Sequence, residues 1–290
     1  MAIESLAALE SACKDRDLFE VICESDCLER GVTSEESFER MRSMFAAMVH
    51  SAAGYSSSLR SASGMVGGDG GKMRAYLEKG HSVCGGYIGQ VIAQALEMGE
   101  NNACMKCIVA APTAGSCGVM PAVLLPYQKR EGLDDNAMIR ALYVAGAIGQ
   151  VVATKASIAG AAGGCQYEIG TASAMAAAAV CYLAGGDAQA VCHAAAMAIK
   201  SLLGLVCDPI AGLVEVPCVK RNAAGAMVAM CSADMALAGI RSAVPPDEVI
   251  LAMREVGDKM DVSLRETGIG GVAGTPFGQA ISDKMSGQKS

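Results

Sequence analysis

Apolar residues recur at three- and four-residue spacing along most of the chain, and no stretch alternates with the period of two that a half-buried strand needs. Leu6, Leu9, Leu18, Val21 and Ile22 keep this spacing between residues 4 and 28 and predict an amphipathic helix. Thr33 and Glu36 form a capping-box pattern ahead of Phe38, Met41, Phe45 and Met48, which predicts a second. Further helices are expected over residues 72–98, broken near Gly85-Gly86 with His81 close to the bend, and from Asp134-Asp135 toward Val152. The Ala-rich runs 171–183 and 187–203, the run 222–240, and a segment opening at Pro245-Pro246 complete the set. The pattern predicts an all-α fold: an N-terminal helical appendage over residues 1–54 and one helical domain over 55–290, with Gly- and Pro-rich turns between helices.

Composition sharpens this. Apolar residues make up 52% of the 290, yet aromatics are 4% and Trp is absent, which favours closely packed helices over a β-sandwich. The formal charge is −7 with no basic cluster, so nucleic acid is not expected as a partner. No run of about 18 strongly apolar residues stands out, and no membrane span is expected. The richest stretch, Ala172 to Gly186, is mostly Ala and contains Ser173, so it reads as a buried helix. Met1-Ala2-Ile3-Glu4 shows neither the basic start nor the apolar segment of a secretory leader, and a cytoplasmic protein is expected. Thirteen cysteines in such a chain point to metal binding rather than disulfides.

The cysteines divide by setting. Cys181 and Cys192 lie inside Ala-rich helical runs and read as small core residues, as does His193. Cys165, Cys207 and Cys218 each sit in a turn punctuated by Gly or Pro, as in Gly163-Gly164-Cys165, Cys207-Asp208-Pro209 and Pro217-Cys218. A thiol presented as a metal ligand needs such a turn, and these three are the candidate ligands of an iron–sulfur cluster. Cys104 and Cys107 form a CxxC without the second pair that a zinc site needs.

Three other motifs bear on chemistry. The Ser/Gly-rich run Ser63-Gly64-Met65-Val66-Gly67-Gly68-Asp69 is not a Walker A loop, though its amides suit an anion. Thr113-Ala114-Gly115-Ser116 precedes Pro121 at an expected helix start, where free amides and the helix dipole suit a carboxylate. Gly268-Ile269-Gly270-Gly271-Val272-Ala273 nearly matches a dinucleotide fingerprint but follows a helical stretch rather than a strand. Lys155 and Lys200 sit in apolar surroundings without a phosphate loop, which disfavours pyridoxal phosphate chemistry.

Together these pieces resemble the α chain of the iron–sulfur-dependent L-serine dehydratases. The resemblance rests on Ser63–Asp69, Ala111–Ser116, Ala161-Ala162-Gly163-Gly164-Cys165-Gln166, Gly204–Pro209, Pro217–Asn222 and Arg265–Gly268, collinear across residues 55 to 280. It implies that residues 55–290 are an all-helical catalytic domain whose Cys165, Cys207 and Cys218 ligate a [4Fe–4S] cluster. It also implies L-serine as substrate, aminoacrylate then pyruvate and ammonia as products, and a separate β chain as partner.

Three thiolates leave one iron open to act as a Lewis acid. His81 is the candidate base within this chain, with Ser63, Gly64, Thr113, Gly115 and Ser116 as candidate substrate contacts. The runner-up reading is a non-catalytic electron-transfer or sensor protein, which usually saturates its cluster with four cysteines. A cluster-free helical scaffold is the third reading. Serine and threonine, one methyl apart, are not distinguished by these motifs.

Overall fold

The computed structural model describes residues 3–287, and among them thirteen α-helices and no strand occur. In order they are α1 (Leu6–Ala12), α2 (Leu18–Arg30), α3 (Ser34–Ala53), α4 (Asp69–Glu78), α5 (Gly85–Ala103), α6 (Val119–Glu131) and α7 (Asp135–Lys155). Then follow α8 (Gly160–Gly163), α9 (Thr171–Leu183), α10 (Ala188–Ser201), α11 (Cys218–Leu237), α12 (Pro246–Lys259) and α13 (Pro276–Gly287). The all-α expectation holds.

Local capping explains most boundaries. The Thr33–Glu36 box forms as the sequence predicts, with both reciprocal bonds present. Asp134 and Asp187 cap α7 and α10 by accepting from the amides of Ala137 at 2.8 Å and Ala190 at 2.7 Å. The single helix expected over 4–28 is instead two, because the Asp17 side chain accepts from the Glu20 amide and starts α2 afresh. The break expected near Gly85 widens to a whole turn over residues 79–84.

α9 is the axis of the molecule. Residues Thr171 to Cys181 are all buried, and α7, α10, α11 and α6 pack around them. Side chains this small let neighbouring backbones approach closely, and the Ser173 hydroxyl donates to the Ile169 carbonyl at 2.7 Å rather than remaining unpaired. Leu6, Leu9, Leu18, Val21, Ile22, Phe45 and Met48 join this same core. The amides of Leu6 and Ala7 donate to the Asp247 carboxylate at 3.1 and 3.0 Å, and the Phe19 and Tyr143 rings meet edge to face at 5.3 Å. The first three helices are thereby tied to α7, α10 and α12.

By length and composition α7 is the one helix among the described residues apolar enough to span a bilayer, and 67% of that window is buried inside the fold. It is an internal helix of the bundle.

His193 on α10 accepts a hydrogen bond from the Ser242 amide at 3.0 Å through Nδ1, an arrangement that requires the neutral ring. Burial holds its pKa below the usual value, with Arg241 and Lys200 adding to the effect. The unfolded chain therefore takes up the proton first, so this contribution is complete above about pH 6.5 and is lost as the pH falls below it. Urea unfolding at pH 7 and pH 5 checks this: His193→Asn, which keeps an acceptor but does not titrate, shows the smaller loss of stability on acidification.

Candidate active site

Cys165 is presented by a deliberate break in the helices. α8 ends at Gly164, whose φ of +90° only glycine adopts readily, and a β carbon there would lie 2.6 Å from the Leu205 carbonyl oxygen. The five-residue π-helix Gln166–Gly170 follows and runs straight into α9. In this wide turn Cys165 and Glu168 face the same side, with Sγ 3.7 Å from Oε2.

Gln166, fully buried, fastens the turn to its surroundings. Its Nε2 donates to the carbonyls of Gly163 at 2.9 Å and Met253 at 3.1 Å, while its Oε1 accepts from the Gly204 amide at 3.0 Å. Its own amide donates to the Leu205 carbonyl at 2.9 Å. The loop that leads to Cys207 is thus tied directly to the Cys165 turn.

Cys207 forms a single parallel bridge with Arg265: its amide donates to the Leu264 carbonyl at 2.8 Å, and its carbonyl accepts from the Glu266 amide at 2.6 Å. Arg221 holds the same loop through an ion pair with buried Asp208 at 2.9 Å and a bond to the Val206 carbonyl at 2.8 Å. Asp208 also accepts from the Val272 amide at 2.8 Å. Two of the glycines after Arg265 pack against this loop, Gly271 against Asp208 and Gly268 near the Pro209 carbonyl.

Cys218 is the first residue of α11, where the helix dipole favours a thiolate. Asn222 one turn on binds three groups at once. Its Nδ2 donates to the carbonyls of Cys218 at 2.9 Å and Gly115 at 2.8 Å, and its Oδ1 accepts from the Gly118 amide at 2.8 Å. The turn around Thr113 is thereby fixed to the Cys218 helix end.

The Cys207 thiol is 3.9 Å from the same Glu168 oxygen that adjoins Cys165. The donor atoms of Cys165, Glu168 and Cys207 all lie within 4.8 Å of one another, the one such group of three among the described residues. Cys218, buried nearby, is within electrostatic reach of Cys165 and Glu168. Its thiol is pushed up by burial, then by those neighbours. The Cys207 thiol is held far above its usual range by its contact with Cys165 and by burial. Burial also raises the Glu168 carboxyl, against the hydroxyl of Thr113, which donates to Oε1 at 2.7 Å. Thiols and a carboxylate crowded together in this way suit a cation that takes the place of their protons. Soft thiolates select zinc, copper(I) and iron–sulfur centres.

The other sequence-predicted residues fall into three places. Thr113 and Gly115 border the cysteines through Glu168, and the Gly115 amide has no acceptor among the described residues. Ser116 is buried, with its hydroxyl turned back to the Thr113 carbonyl at 3.3 Å. Ser63 donates to buried Glu215, which precedes Cys218 by three residues and also accepts from Ser61 at 2.6 Å, while the Gly64 amide is spent on the Ser61 carbonyl. His81 stands exposed in the turn between α4 and α5.

Two sequence expectations change. The start of α6, expected to offer free amides, is buried, and the exposed face belongs instead to the short 3-10 turn Ala114–Ser116. The Ser/Gly-rich loop does bind an anion, but an internal one: the Asp69 and Gly70 amides donate to the buried Glu100 carboxylate at 2.6 and 3.3 Å, and Tyr55 adds its hydroxyl at 2.6 Å. Sequence reasoning did not single out Glu168, Gln166, Asn222 or Glu100. The first three lie beside the flagged cysteines, and that adjacency was the available signal.

Asn222→Ala leaves the Gly115 carbonyl and the Gly118 amide without partners beside Cys218, at a cost of about 2–4 kcal/mol. Urea unfolding checks the stability, and the iron retained after anaerobic gel filtration checks the site; both fall together if Asn222 is the clamp described. Gln166→Leu does the same on the Cys165 side.

Comparison with known proteins gives the chain's family. The model of the serine dehydratase alpha chain family matches residues 9–273. The probable L-serine dehydratase alpha chain of Bacillus subtilis is 49% identical over 255 residues, 88% of this chain and 85% of that protein. The L-serine dehydratase alpha chain of Peptoniphilus asaccharolyticus is 48% identical over 217 residues, covering 75% of this chain and 74% of its own length. L-serine dehydratase 2 of Escherichia coli is 47% identical over 184 residues, 62% of this chain but 40% of that longer protein. This chain belongs to the serine dehydratase alpha chain family.

Proposed function

We propose that this chain is the catalytic alpha subunit of an iron–sulfur L-serine ammonia-lyase of the cytoplasm. In this reading Cys165, Cys207 and Cys218 hold a [4Fe–4S] cluster, and L-serine is dehydrated to aminoacrylate, which hydrolyses to pyruvate and ammonia. The observation that carries the reading is the donor set: buried thiols on separate turns, Cys165 and Cys207 within 4.8 Å of each other, and Cys218 acting on the same group. Three thiols rather than four fit a cluster with a position reserved for substrate. When bound, the cluster supplies a Lewis-acidic iron toward the substrate's carboxylate and β-hydroxyl.

The chain's own residues supply orientation and proton transfer. The unpaired Gly115 amide, on a turn fixed by Asn222 and Ser116, holds a substrate carboxylate oxygen, and Thr113, its proton given to Glu168, lines the same pocket. Ser63 and Gly64 are the substrate contacts assigned to the Ser/Gly-rich loop. There Ser63 keeps a lone pair for substrate while it donates to Glu215 and accepts from the Met65 amide at 3.0 Å. His81 takes the Cα proton. Because its turn is exposed, that role requires residues 79–84 to be brought over the site, and a beta chain docked there provides the cover. The alpha chain names of the relatives support such a partner.

Anaerobic purification with the beta chain tests the reading. The wild-type complex is expected to hold about four irons with matching sulfide per alpha chain and to form pyruvate from L-serine, and Cys165→Ser or Cys207→Ser to lose both. Pyruvate formed at full rate by iron-free protein would overturn it. His81→Ala is expected to lower kcat by about 10²- to 10⁴-fold with iron content unchanged.

A further inference from the structure

L-serine brings a third group to the site, its ammonium, and the residues above leave it without a partner. Glu168 has the geometry to receive it. Its Oε1 is oriented by the Thr113 hydroxyl at 2.7 Å, and its Oε2 lies 3.7 Å from the Cys165 sulfur and 3.9 Å from that of Cys207. The carboxylate is flanked by residues without side chains. A β carbon at Gly115 would sit 3.2 Å from Oε1, and one at Gly160 would sit 2.7 Å from Oε2 and 2.9 Å from the Cys207 sulfur. Glu168 is half-buried, so one side of this gap stays open.

The charges around it have one sign. Glu168 pairs with no Lys, Arg or His among the described residues; the charge that acts on it is that of Glu266, and the neighbouring Cys165 and Cys207 thiols act as hydrogen-bond donors. Arg221, the cation within reach of Cys218, is committed to Asp208 and to the Val206 carbonyl. A half-buried carboxylate held in place by a hydroxyl and lacking a countercharge gains most from a ligand that brings a cation with donors.

We propose that Glu168 binds the substrate's ammonium and so selects α-amino-β-hydroxy acids over hydroxy acids that lack the amino group. The proposal rests on the serine dehydratase reading, and it adds a contact for the one functional group of L-serine that the other site residues do not bind.

The test uses the cluster-loaded complex with its beta chain, comparing wild type with Glu168→Gln and Glu266→Gln. Glutamine keeps the size of Glu168 and an acceptor for Thr113 while removing the charge. The two readouts are the KM for L-serine and the inhibition constant of 3-hydroxypropanoate, which has the same carboxylate and β-hydroxyl but no amino group. In Glu168→Gln the KM is expected to rise about 10- to 100-fold, while the inhibition constant stays within about twofold and the iron and sulfide content is unchanged. Glu266→Gln is expected to leave both constants nearly as in wild type.

An unchanged KM, equal weakening of both ligands, or the same selective loss in Glu266→Gln would overturn the assignment. If Glu168→Gln fails to retain iron, Thr113→Val removes the hydroxyl that orients the carboxylate and is read in the same way: selective weakening of L-serine supports the proposal, and equal weakening refutes it. A wild-type complex that holds its cluster but forms no pyruvate would sink the dehydratase reading itself, and the proposal with it, before any variant is compared.

Discussion

The structure depends on a local excess of groups that become negative together. Two thiols and a carboxylate lie within 4.8 Å of one another in a mostly buried space, with a third thiol acting on them, and none of the four has a cationic side chain committed to it. Bringing negative charge onto all of them at once is costly, because a desolvated charge beside another of the same sign is unfavourable. A positively charged centre reverses that balance. The surrounding architecture makes sense as the means of holding these donors in register until such a centre arrives.

That register comes from a few buried polar side chains that bind backbone. Gln166 ties the Cys165 turn to the approach to Cys207, Arg221 braces the same loop, Arg265 binds the Met260 carbonyl at the end of α12, and Asn222 joins the Thr113 turn to the start of α11. Each satisfies backbone groups that tight turns leave exposed, so these turns are held in the interior by side chains rather than by regular secondary structure. The Ala-rich α9 completes the arrangement. Its small side chains let α10 and α11 approach, and its extension through the π-helix carries Cys165 and Glu168 to where those helices end.

What the sequence made legible was local. The Thr33 box and the helix starts at Asp134 and Asp187 depend on residues a few positions apart, and these appear as expected. The three cysteines were legible because Gly and Pro mark their turns. Glu168 was not, since its meaning comes from residues 113, 160 and 207, which the fold alone brings together. The Ser/Gly-rich loop shows the same limit from the other side: its capacity for an anion was correctly sensed, but the anion is Glu100, supplied from α5. The split at Asp17 is a smaller case, in which a side-chain cap outcompeted continued helical spacing.

The central claim is that three cysteines, and no fourth thiolate, hold the cluster. Mössbauer spectroscopy of the anaerobically loaded, iron-57-enriched protein, with and without L-serine, tests it most directly. The account predicts one iron in four with its own signal, which shifts on addition of L-serine while the other three do not. Four equivalent irons that ignore the substrate would contradict it.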